Sequence, residues 1–343
     1  MGLDKTRPAY RLTANQEDIT DAINKRLVSV RLTDKAGMDS DELVITLEDH
    51  DDQRPLALPP AGAELKLWIG YNDEADEMGV YVVDALEISW PPNQLKIIAK
   101  AAPLAESQSG QGSTRLMLQT KKTRSWEAGK TLGAITEAIA NEHGLKPAVQ
   151  AAIASVVLPH IDQTDESDMN LLTRLARDHD GVVKPAGGAL VLAKRGASQA
   201  ANADATPLPT VDIVPTMLTS GRMRLAKRGN AGSVIAHWRD TDEAATYEVT
   251  VGEGEPVQRL GQAFPDEAAA KAAARSELRR GERGEQTLDI TLPGDTSLMA
   301  EGRLSLSGFR EGADGEWLIE QVTHTINDRG YSCRVKAELP GSE

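Results

Sequence analysis

Several places in the sequence carry side chains of the types that do chemistry. Asp178-His179-Asp180 and His160-Ile161-Asp162 pair imidazole with carboxylate, as metal-dependent hydrolases do. His50 stands beside Asp49, Asp51 and Asp52, and Asn72–Glu77 (NDEADE) offers the carboxylate density of a calcium loop. Cys333 is the single thiol. Lys121-Lys122-Thr123-Arg124 is the densest basic run, with Trp126 close by for stacking on a base.

Each has a plainer reading. Neighbours on a helix project about 100° apart, so Asp178, His179 and Asp180 cannot all face one ion. His179 instead falls at a helix C-terminus, where a cationic ring complements the dipole. The cluster around His50 reads as an acidic turn. NDEADE lacks the central glycine and ligand spacing of an EF-hand and reads as a solvated tip. A lone cysteine forms neither an intramolecular disulfide nor a cysteine-based metal site, and Tyr331–Val335 around it reads as a strand. The basic run is short and reads as a solvated loop. No nucleophile elbow, Walker loop, H-E-x-x-H helix or dinucleotide fingerprint is present, and Gly187-Gly188 lies in a hairpin turn with no helix behind it. The residues therefore predict no catalytic, cofactor-binding or metal site, no cofactor, and no enzyme.

The elements that position these residues fall into blocks. Residues 1–105 alternate apolar and polar positions in Arg26–Thr33, Leu43–Glu48, Leu65–Ile69 and Leu95–Ala99, with turns at Gly37, Pro59-Pro60, Tyr71–Gly79 and Pro91-Pro92. Short strands and short turns predict a small antiparallel β-barrel or sandwich. Residues 106–196 predict an α+β middle domain, entered through the flexible Ser107–Ser113 stretch. Its first helix carries Leu132, Ile135 and Ile139. Its second is expected to be capped by Thr164 and to carry Met169, Leu171, Leu172, Leu175 and Ala176 on one face, ending at Gly181. A hairpin from Val182 to Leu192 follows. Residues 197–210 read as a linker. Residues 211–343 return to strands at 234–238, 247–251, 287–292, 303–307, 317–326 and 331–339. A helix opened by Asp266 and rich in alanine interrupts them, and is expected on the outside of a second barrel.

Fifty-two acids against thirty-eight bases give a net charge of −14 over 343 residues. That balance argues against sequence-specific nucleic-acid binding, which needs a basic stripe. No apolar run approaches 18 residues, so no membrane helix and no membrane partner are predicted. MGLDKTRPAY has no apolar core of a signal peptide.

Three segments carry a resemblance: LVITLEDHDDQRPLALPPAGAELKLWIG (Leu43–Gly70), KTLGAITEAIANEHGL (Lys130–Leu145) and ESDMNLLTRLARDHDGVVKPAGGALVLA (Glu166–Ala193). In this order and spacing the chain resembles the phage late control gene D family, the baseplate hub proteins of contractile tails, whose segments recur in VgrG-type spikes of type VI secretion. The resemblance implies a mainly β fold with an α+β insert, two tail-tube-like antiparallel β-barrels flanking the small middle domain. It implies a structural role: a homotrimer adapting the six-fold tail tube to a three-fold spike. The implied partners are the tail tube protein, a separate central spike protein (the sequence ends at Glu343 without a spike repeat), the tape-measure protein and the baseplate wedge proteins. The implied location is the baseplate of a virion or tail-like particle, assembled in the bacterial host cytoplasm. The surplus acid predicts a bore of net negative potential. The rival expectation is a cell-wall-binding or wall-cleaving tail component, since such modules also pair helices with short strands.

Overall fold

The computed structural model describes residues 7–36, 41–49, 55–60, 62–72, 74–101, 118, 120–186, 189–195, 208–225, 231–240, 243–284 and 286–340. The 107–113 connection, the turn from His50, the Gly187-Gly188 turn, Gly37 and most of the 197–210 linker lie outside the described residues.

The first half runs β1 (Pro8–Ala14), β2 (Glu17–Asp18), helix α1 (Thr20–Asn24), β3 (Leu27–Lys35), β4 (Glu42–Glu48), β5 (Glu64–Tyr71), β6 (Glu74–Ser89) and β7 (Gln94–Ala101). Its spatial order is β3-β4-β7-β6-β5-β1, all antiparallel. The NDEADE stretch is a hairpin, with Tyr71 opposite Glu74, so the expected solvated loop is mostly the start of the 16-residue β6. Acidic side chains on its exposed positions hide the strand's alternation.

The middle unit contributes β8 (Lys121–Trp126), α2 (Leu132–Glu142), β9 (Lys146–Val149), α3 (Ala151–Ala154), β10 (Ile161–Ser167), α4 (Asp168–Asp178), β11 (Gly181–Ala186) and β12 (Ala189–Lys194). Ile135, Ile139, Leu171, Leu172, Leu175, Leu190 and Leu192 form its core. The cap of α4 is Ser167, whose side chain accepts from Asn170 N–H, and Thr164 lies inside β10. Residues 161–163 and 166–167 pair with β8, with a bulge between them at which Asp165 takes φ 48°, and this pairing overrides the capping expected at Thr164. Asp180, at φ 53°, takes the left-handed position expected of Gly181.

The second half contains β13 (Thr210–Ile213), β14 (Ser220–Leu225), β18 (Gln286–Pro293), β19 (Arg303–Leu306), β20 (Gly315–Asn327) and β21 (Gly330–Glu338). Between β14 and β18 lie β15 (Ser233–Asp240), β16 (Ala245–Gly252), β17 (Val257–Phe264) and helix α5 (Glu267–Gly284). The first three make their own sheet, and α5 covers it with Ala270, Ala273 and Ala274 against Val234, Ala236 and Phe264. Strands 234–238 and 247–251 therefore do not join the barrel strands, and the alanine-rich helix does not rest on them. Alanine permits close helix–sheet approach, and the inserted unit supplies the surface.

The two halves repeat one topology. The order β14-β18-β21-β20-β19-β13 matches β3-β4-β7-β6-β5-β1, in the same chain sequence. Registers then align residues. Leu43–Leu47 (LVITL) falls on Leu288–Leu292 (LDITL), Ser29 and Arg31 fall on Ser220 and Arg222, and Tyr81 falls on Trp317. The bulges in β6 and β20 coincide at Asp84 and Glu320. Gly79 and Gly315 coincide too, at φ 122° and 129°, a region that side-chain-bearing residues rarely adopt. One departure stands out: β13 runs parallel to β19, whereas β1 is antiparallel to β5.

The halves are fused through β3 and β20, which pair from Ser29↔Asn327 to Lys35↔Gln321. A single apolar core crosses this seam, joining Val30, Leu32, Ile45 and Leu67 to Val322, Ile326, Val335 and Trp317. A second contact lies at Tyr71, which donates to Gly294 O at 3.0 Å and packs on Tyr331 with centroids 5.5 Å apart. A Cβ on Gly294 would fall 2.0 Å from the Tyr331 ring. Gly294→Ala is therefore expected to cost about 1–3 kcal/mol through overpacking, read as a lower denaturant midpoint. An unchanged midpoint would contradict this packing.

Candidate functional site

The densest chemistry lies in the middle unit. Lys122, Arg124 and Trp126 alternate along β8, so all three project from one face, and Arg124 lies over the Trp126 ring at 4.5 Å. Opposite them is Asp168, the first residue of α4, with 0 % of its side chain exposed. Its carboxylate accepts from Arg124 Nη2 at 2.5 Å, Lys122 Nζ at 2.6 Å and Gln163 Nε2 at 2.8 Å, and pairs with His143 Nε2 at 2.7 Å. Glu142 adds a second acid, bonded to Lys122 and, at 2.8 Å, to Arg124.

Burial alone would raise the Asp168 pKa. The hydrogen bonds from His143, Lys122 and Gln163 and the Arg124 charge outweigh burial and hold it down at about 2. Glu142, His143 and Asp168 place potential ligand atoms within 4.8 Å of one another. Their carboxylates already have two cations, Lys122 and Arg124, so the arrangement is a closed ionic clasp joining β8, β10, α2 and α4. Ser167 caps the helix, Glu166 holds Arg174 at 2.9 Å, and Asp168 is the clasp's centre. The Glu-Ser-Asp triplet is thus explained by folding.

A second cluster joins the middle unit to the fused sheet. Lys184 Nζ on β11 reaches Asp41 Oδ1 at 2.6 Å, Lys35 O at 3.0 Å and Asp34 Oδ1 at 3.4 Å. Asp34 also accepts from Ala300 N–H at 2.8 Å, so one side chain on β3 ties together both halves and the middle unit. Burial, then the Asp34 charge, push the Asp41 carboxyl up, while Lys184 pulls it down. Arg195 to Glu338, at 2.9 Å, is a second tie.

The structure keeps the other candidates apart. Asp178 is pushed up to about 6 by burial against the pull of Arg174, Arg177 and Arg280, and burial lowers His179. His179 caps α4, while Asp180 lies 3.7 Å from Arg279 of α5. Together with the Ser276 Oγ bond to Arg177 O, at 2.6 Å, this docks the inserted unit on the middle unit. His160 and Asp162 pair at the surface, and Asp49 accepts from Leu56 N–H. Cys333 is fully buried, 3.2 Å from His324 Nδ1, and burial pushes its thiol up to about 11. An inaccessible, protonated thiol is a poor nucleophile. The basic run proved to be a strand, and its signal was the Lys122, Arg124, Trp126 alternation.

One surface feature spans both halves. The face of the fused sheet turned away from the core is polar from β14 to β6. In the second half Arg222, Arg224, Arg334 and Lys336 stand against Asp289. In the first half Arg31, Lys96 and Lys100 stand against Glu42, Glu48 and Glu87. Asp84 and Glu320, exposed at the two bulges, add acid to this face, so bases and acids nearly balance along it in a chain that is acidic overall.

Comparison with known proteins supplies the context. Residues 112–330 match the family model described as phage tail baseplate hub (GPD). The chain is 30 % identical to a probable baseplate hub protein of Escherichia phage P2, covering 97 % of this chain and 93 % of that one. It is 29 % identical to the corresponding protein of Escherichia phage 186, covering 98 % and 94 %. Among solved structures it resembles the 43 kDa tail protein of prophage MuSo2 from Shewanella oneidensis, with a TM-score of 0.69, 16 % identity, and coverage of 97 % and 98 %.

The clasp makes a pH prediction. The Asp168 pKa falls from 3.8 to about 2 on folding, so its stabilisation is complete above pH 4 and disappears as pH drops through 2. The shift corresponds to about 2 kcal/mol. Asp168→Asn should lower stability at pH 7, and the gap to the parent should shrink by about half at pH 3. A gap independent of pH, measured by denaturant unfolding, would contradict the clasp.

Proposed function

The chain belongs to the phage tail baseplate hub family, and from that premise we propose that it acts as a trimeric, non-enzymatic adaptor. Each copy contributes two equivalent halves. Three copies bring six, which meet a six-fold tube on one side and a three-fold spike on the other. The observation that carries this reading is the residue-by-residue repeat of the two halves. A six-fold neighbour needs six similar surfaces, and duplication inside one chain provides two per copy.

On this reading the chain divides into a first tube-like half over 1–105, a middle unit over 106–196, a linker over 197–210 and a second half over 211–343, the last interrupted by the inserted unit. Its partners are the tail tube protein, a separate central spike protein, the tape-measure protein and the baseplate wedge proteins, in a virion or tail-like particle. The polar face of the fused sheet lines the bore. On that face bases and acids nearly balance, so the acidic surplus of the chain is carried mostly by its other surfaces.

The absence of enzymatic action rests on the two ionic clusters, whose charged groups are satisfied within the protein. His179→Ala and Asp178→Asn should leave the activity of assembled particles near that of the parent. Loss of infection or killing with intact particles, together with peptidoglycan cleavage by the parent protein, would favour the wall-cleaving alternative. Copy number in a baseplate reconstruction tests the adaptor itself: three copies around the tube axis are expected, and six would overturn it.

A further inference from the structure

The seam inside the chain has a vacant counterpart. In the second half, the long strand β20 uses its N-terminal part to pair with β19 and its C-terminal part, Gln321–Asn327, to pair with β3. Its equivalent, β6, uses its N-terminal part to pair with β5. Its C-terminal part, Ala85–Ser89, pairs with β7 alone, leaving the other edge open among the described residues. The equivalent of β3 is β14, which pairs with β18 alone and ends the sheet. Each half thus has one edge that the other half fills only once.

We propose that β6 of one copy and β14 of a second copy pair antiparallel across these edges, in the register of the internal β20–β3 seam. The inference rests on the ring of three copies proposed above and specifies how its copies join.

The internal register fixes the external one. Thr325↔Arg31 becomes Ser89↔Arg222, Thr323↔Thr33 becomes Glu87↔Arg224, His324↔Leu32 becomes Ile88↔Met223, and Val322↔Asp34 becomes Leu86↔Leu225. Trp90, one residue past β6, falls beside Gly221, where the internal seam has Ile326 beside Val30.

Three independent properties fit this register. Ile88, Trp90 and Leu225 are large apolar residues left 49 %, 73 % and 53 % exposed, and all lie on these two edges. Ile326 and Val30, which stand where Trp90 and Gly221 would, are 5 % and 0 % exposed inside the chain. Glu87, which pairs with Lys96 at 2.8 Å inside the chain, would also face Arg224, for which no ion pair is seen among the described residues. Finally, long open strand edges are aggregation hazards that proteins cover or block. Head-to-tail pairing covers both edges and propagates around an axis until it closes.

The test uses tail particles assembled with full-length chains carrying Ser89→Cys and Arg222→Cys together. Mild oxidation should link chains through residue 89 of one and residue 222 of the next, giving a covalent species of three chains on a non-reducing gel. Either single variant should give no such species, and neither should Ser89→Cys with Met223→Cys, whose side chains point to opposite faces. In parallel, Glu87→Arg and Arg224→Glu should each lower the yield of assembled particles roughly tenfold or more, and the double reversal should restore it. Particles holding three copies but linked only in a shifted register, or not rescued by the double reversal, would overturn this pairing while leaving the trimer standing. A copy number other than three would overturn the trimer and the pairing together.

Discussion

The structure depends on one constraint: a β-strand edge is a row of backbone donors and acceptors that must be paired, covered or exposed to water. The chain meets it inside itself by laying β3 along β20. That pairing turns two six-strand halves into one sheet with one core. Asp34, near the end of the seam, accepts from Ala300 in the second half and Lys184 in the middle unit. The seam therefore sets where all three parts meet. A carboxylate so placed, with Asp41 close by, depends on the Lys184 cation, because unpaired buried charge is costly.

The middle unit is held by charge where the halves are held by backbone. Its core contains leucine and isoleucine, but the strand pair β8–β10 is locked to helices α2 and α4 by Asp168 and its four partners. Such a clasp needs every member, since removing the acid leaves cations facing one another at low dielectric. Packing of α5 against α4, through Ser276 and Arg279, extends the same unit to the inserted strands. A structural baseplate hub gains from ties of this kind, which are short, directional and spread over several elements.

Much of the fold was legible in the sequence. Alternation identified β3, β4, β5, β7, β18 and β21, and the leucine stripe of α4 is buried as its spacing required. What stayed hidden depends on long-range pairing. Nothing local in residues 161–167 shows that they will pair with β8, so Thr164 reads as a cap. Strand patterns do not reveal which strands they pair with, so the inserted strands read as part of the barrel. The duplication left a trace in LVITL and LDITL, but five residues mean little until the registers put them at equivalent positions. The clasp was hidden for the same reason. Lys122, Glu142, His143, Gln163 and Asp168 are scattered over 47 residues of sequence, and only folding brings them together.

The central claim is that the two halves of one chain are structurally equivalent units of a closed ring. The most direct measurement is the rotation relating them in a reconstruction of the assembled hub. Equivalent halves should alternate around the bore at a common radius, each turned by about 60° from the last. Halves lying at different radii, with one outside the ring, would contradict the account.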